Sequence, residues 1–152
     1  MNRLALVSTL LLLAACGGPS APTTTPVEGP ATAALPNVPF EKLDHDQQIQ
    51  FMKEKVVPAM KPLFQTHDAV KYAEFGCKTC HGEGAEKGEF EMPNAGLPTL
   101  DFADMSKFKK ADIEWMGTVI KPGMAALLGE SEYTPENPTG FGCLHCHTAV
   151  GT

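Results

Sequence analysis

The pentapeptide Cys-x-x-Cys-His occurs twice, as Cys77-Lys78-Thr79-Cys80-His81 and as Cys143-Leu144-His145-Cys146-His147, in a chain of 152 residues with one further cysteine, Cys16. Two thiols three residues apart, with an imidazole directly after the second, place three reactive groups within about one helical turn. Thioethers formed by such a pair hold the two vinyl groups of one haem, and the adjacent histidine then lies under the iron. Two copies imply two covalently attached c-type haems, with Cys77, Cys80, Cys143 and Cys146 as thioether positions and His81 and His147 as proximal ligands. The fold must therefore enclose two bulky apolar groups, and covalent attachment of this kind belongs to an exported protein.

The start of the chain agrees with export. Met1-Asn2-Arg3 is a short cationic start, and Leu4 to Ala15 is an apolar run ending in small residues. Residues 1–15 read as a signal peptide, too short for a transmembrane helix of about 20 apolar residues. Leu13-Ala14-Ala15-Cys16 resembles the bacterial lipobox, which makes Cys16 the lipid-bearing first residue of the mature chain and places the protein in the periplasm of a Gram-negative-type bacterium. Gly17 in place of Asp favours the outer membrane. Residues 16–39, rich in Pro, Thr, Ala and Gly, read as a flexible tether without apolar periodicity. Residues 40–152 are then a single domain, too small for a large apolar core of its own, which two haems would fill.

The chain carries 12 basic and 18 acidic residues, a net charge of −6. This balance excludes nucleic acid as a partner. Lys107, Lys109 and Lys110 form a dense basic cluster that reads as a solvated helix start.

An internal repeat organises the domain. Ile49-Gln50-Phe51-Met52 lies over Ile113-Glu114-Trp115-Met116, and Val56, Pro58, Met60 and Leu63 lie over Ile120, Pro122, Met124 and Leu127, all at an offset of 64. Phe75-Gly76-Cys77 then matches Phe141-Gly142-Cys143. Two tandem modules are expected, at about 43–87 and 107–152, each an amphipathic helix, a loop and an attachment motif. Asp44 with Gln47 three residues on marks a helix start, and Pro58 and Pro122 should kink or restart their helices. The segments 88–101 and 129–140, with their Pro and Gly residues, read as loops, and no sheet is expected. The fold class is mainly α.

Each iron needs a sixth ligand or an open position. Met60 and Met124, at equivalent places on the two helices, are the expected distal ligands. A thioether there raises the reduction potential relative to a second imidazole. Met52 and Met116, also repeated, are alternatives. Met92, His67 and His45 are further ones without a counterpart in the other module. Core packing is the ordinary occupation of a methionine on an apolar helical face. His145, inside its motif, reads as a partly exposed side chain or a haem-edge contact.

The order of a helix bearing Val-Val-Pro-Ala-Met60 or Ile-Lys-Pro-Gly-Met124, a loop, and Phe-Gly-Cys-x-x-Cys-His resembles the repeating unit of the photosynthetic reaction-centre multihaem cytochrome c subunit family. The resemblance spans residues 43–147. It implies Met60 paired with His81, Met124 paired with His147, and electron transfer as the activity. Two units stand here where that subunit has four, and the spacing from Met to Cys is longer.

The expected function is outer-sphere electron transfer between periplasmic redox proteins by a lipid-anchored dihaem protein. Other readings stay open. A haem peroxidase or reductase would keep one iron free, with His67 and Glu74 near the first haem; a haem sensor is a lesser form of this. Cys77-Lys78-Thr79-Cys80-His81-Gly82-Glu83-Gly84 also fits one half of a four-cysteine zinc module. A Cys-x-x-Cys redox pair or structural disulfides would not need the repeated histidine.

Overall fold

Two long helical rods, one from each repeat, cross in a computed structural model that describes residues 35–151. The leader, Cys16 and the first part of the expected tether lie outside the described residues. Helix α1 (His45–Phe51) runs through a π-helical turn (Met52–Val56) into α2 (Val57–His67). Helix α4 (Lys110–Trp115) runs through a second π turn (Met116–Ile120) into α5 (Lys121–Leu128). Between them lies the short helix α3 (Cys77–His81), followed by a 3-10 turn (Gly82–Lys87). Among the described residues there are no strands, only isolated bridges such as Leu100 with Ala149, so the domain is mainly α as expected.

Asp44 opens the first rod with the expected reciprocal cap. Its carboxylate accepts from the Gln47 N–H at 2.9 Å, and its own N–H donates to Gln47 Oε1 at 3.0 Å. A proline lacks an N–H and crowds the carbonyl four residues back. Just before Pro58 and Pro122 each helix widens by one residue, and α2 and α5 then begin with the proline in their first turn. The Val57 N–H bonds the Met52 carbonyl and the Lys121 N–H bonds the Met116 carbonyl, both five residues back. In the second rod the Thr118 hydroxyl donates to the Glu114 carbonyl at 2.7 Å. Helix α5 ends at Gly129, whose φ of 75° lets the Glu130 N–H reach back to the Ala125 carbonyl at 2.9 Å.

The rods exchange partners at their ends. Trp115, opening the second rod, packs edge-on to Phe64 of the first at 4.9 Å between ring centres, in the cluster that holds Phe75. Phe51, opening the first rod, joins the cluster of Ala125, Leu128 and Phe141 in the second repeat. Burying Phe64 contributes about 1.5–3 kcal/mol, and each well-set aromatic pair adds about 0.5–1.5 kcal/mol. The two repeats thus pack against each other, and each of the two apolar clusters draws residues from both. Ile113, expected on the buried face, is 37% exposed, because the rod end that carries it meets the partner through Trp115. No described helix is long and apolar enough to cross a membrane.

Candidate functional site

A cavity of about 480 Å³ opens between the crossed rods and the two Cys-x-x-Cys-His motifs. That volume lies within the ~300–1,000 Å³ of ordinary small-molecule sites. From the first motif Cys77, Cys80 and His81 line it, and from the second Cys146 and His147. Cys143 is exposed and does not reach the lining. The methionines Met52, Met60, Met92, Met116 and Met124 all face the cavity. The sequence repeat therefore resolves into one enclosure served by both halves of the chain.

The local folding of each motif explains how the thiols are presented. In both, the residue before the second cysteine turns back to cap the first turn. The Gly76 N–H donates to Thr79 Oγ1 at 3.1 Å, and the Gly142 N–H donates to His145 Nδ1 at 3.0 Å. His145 is thus a capping residue, a role hidden in the sequence because a threonine hydroxyl and a histidine ring look unlike although each can accept from the glycine N–H three residues back. All four motif thiols are free. Burial, with smaller contributions from the neighbouring Cys146 and Cys77, pushes the Cys80 thiol up to about 12. Burial, and then Cys143, pushes Cys146 up to about 11.

The two histidines differ in their outer nitrogen. His147 Nδ1 lies 2.9 Å from the Pro98 carbonyl oxygen. A carbonyl can only accept, so Nδ1 carries the hydrogen and Nε2 keeps its lone pair. His81 Nδ1 is buried without a hydrogen-bond partner. Burial holds the His81 pKa below its usual value, opposed in part by the Phe90 backbone, and the Phe90 ring stands edge-on at 5.3 Å.

Met60 is the most buried of the candidate distal residues, 3% exposed, and its methyl group fills the space left by the missing side chain of Gly123 on the other rod. Met124, Met52 and Met116 are partly buried around the same cores. His45 lines the cavity, whereas His67 does not. The His67 ring stacks on Trp115 at 4.0 Å, and its Nε2 meets Asp112 at 2.8 Å, so it joins the two rods. Glu74 is exposed. Among the described residues no three His, Cys, Asp or Glu side chains come together closely enough to hold one metal ion.

Chemically, the cavity presents thiols, imidazole nitrogens and thioethers around an apolar space, a donor set suited to a soft metal inside a large apolar group. Comparison with protein families, with curated proteins and with solved structures finds no match.

Proposed function

We propose that the chain is a dihaem c-type electron carrier, anchored to the membrane through lipid on Cys16 and exchanging electrons with periplasmic redox proteins. The observation that carries this reading is the convergence of both Cys-x-x-Cys-His motifs, 66 residues apart, and five methionines on one apolar cavity. The lining suits the group: Cys77, Cys80 and Cys146 would bind it covalently from the cavity wall and Cys143 from the exposed side of its motif, His81 and His147 would be proximal ligands, and Met60 and Met124 distal ones. The Pro98 carbonyl on His147 Nδ1 is the outer contact that orients a ligating imidazole and raises its basicity. The orphaned Nδ1 of His81 belongs to a ring held in place by packing, with Phe90 against its face.

Bound haem iron supplies a one-electron couple whose potential follows its axial ligands and its burial. The chain's own part is structural. Phe64, Phe75, Ile120 and Phe141, all buried, give the cavity an apolar wall, and an apolar, well-packed surrounding would change little when charge arrives. No residue has to act as acid or base, since no bond of a substrate breaks. The catalytic alternative would draw on His67, which is committed to Asp112 and Trp115 outside the cavity.

The test is a pair of absorption spectra, oxidised and reduced, of the full chain produced in a bacterium that matures c-type cytochromes. Two low-spin haems per chain, with the weak near-infrared sulfur-to-iron band in the oxidised form, are expected. High-spin iron would favour the enzyme, and low-spin iron without that band would move the distal ligands from methionine to histidine.

A further inference from the structure

Asn94, in the loop between the repeats, bonds to both attachment motifs. Its backbone N–H donates to the Cys146 carbonyl at 3.0 Å, and its side-chain Nδ2 donates to the Cys80 carbonyl at 3.3 Å. Its Oδ1 accepts from the Gly96 N–H at 2.7 Å, and its carbonyl accepts from the Leu97 N–H at 3.0 Å. Every polar group of the residue is in use, and the amide orientation is settled because Gly96 can only donate and the Cys80 carbonyl can only accept. Gly82, directly after His81, leaves room for this. Its φ is +65°, and a side chain there would stand 3.2 Å from Asn94 Nδ2.

The residues after Asn94 continue the attachment to the second motif. The Pro98 carbonyl accepts a hydrogen bond from His147 Nδ1–H at 2.9 Å. The Thr99 and Thr148 hydroxyls meet at 3.1 Å. The Leu100 N–H donates to the Thr148 carbonyl at 2.8 Å, and the Val150 N–H donates to the Leu100 carbonyl at 2.9 Å. The strap 94–100 is thus laced to the second motif along its length and joined to the first through the amide of Asn94.

We infer that Asn94 is a positioning residue that sets the relative placement of the two haem-attachment motifs, and so of the two haems, a role that rests on the dihaem reading above. Removing the side-chain bridge while keeping the loop turn should let the motifs shift against each other. Asn94→Ser keeps an acceptor for the Gly96 N–H but is too short to reach Cys80. Asn94→Asp keeps size and acceptor but replaces the donor with a carboxylate facing a carbonyl.

The readout is circular dichroism across the main haem absorption band, where two haems held at a fixed angle give a paired positive and negative signal. It is measured on the matured full chain together with the haem count and the two midpoint potentials. The wild type is expected to show the paired signal. Asn94→Ser and Asn94→Asp should keep two low-spin haems, lose or invert that signal, and shift the gap between the two potentials. A role in stability alone would lower the unfolding temperature of the variants and leave signal and gap unchanged in the cold, which would overturn the inference. So would a wild type with two haems and no paired signal, or a failure of both variants to mature. A wild type without haem would overturn the dihaem reading itself.

Discussion

Met60 and Gly123 touch across the crossing of the two rods, so the position of one thioether depends on a missing side chain in the other repeat. Met60→Ala and Met124→Ala are each expected to lower the potential of one haem and open its iron to carbon monoxide. Potentiometric titration and carbon monoxide difference spectra check this, and unchanged behaviour in both variants would remove the ligand assignment. His67 illustrates a residue whose place the sequence conceals. Nothing in its local pattern says that Trp115 and Asp112, over 40 positions away, will hold it. The hydrogen bond from His67, then its charge and those of Lys109 and Lys71, hold the Asp112 carboxyl below the usual aspartate range. A lowered folded-state pKa means a contribution that is complete above the unfolded value of ~3.9 and lost as pH falls through the lower folded one. Urea unfolding of wild type and Asp112→Asn should therefore show a difference in mildly acidic buffer that vanishes in strong acid.

The helices were legible because apolar residues recur at three- and four-residue steps and the repeat supplies each pattern twice. The Asp44 cap was legible for the same local reason. The π turns were not, since a proline announces a lost hydrogen bond without saying whether the helix will bend, stop or widen. Their recurrence at the same repeat position ties them to the proline and to the methionine two residues beyond it. Replacing Pro58 or Pro122 by Ala restores the missing N–H and allows a regular α turn, which would rotate the following methionine relative to the first half of the rod by about 100°. Each variant is expected to keep both haems and weaken the near-infrared sulfur-to-iron band, read from the oxidised spectrum.

At the scale of the molecule, periodicity showed that each rod has an apolar face, but two similar faces in one chain can pack within or across repeats. The crossing is settled by long-range partners, with Trp115 against Phe64 and Phe51 beside Phe141, and no local signal carries that choice. The first and second repeats produced separately, residues 35–106 and 107–152, should lack fixed structure by far-ultraviolet and near-ultraviolet circular dichroism, because each lacks half of its core. The two Cys-x-x-Cys-His motifs stand out as five consecutive residues each, whereas the strap 94–100 that bonds to both is ordinary loop sequence until it is folded. The central claim is that both motifs carry haem. It is tested most directly by the intact mass of the full chain under denaturing conditions after production with haem-attachment machinery. The account predicts a gain of two haem masses, falling to one when Cys77 and Cys80, or Cys143 and Cys146, are replaced by Ala. A chain of unmodified protein mass in each case would contradict it.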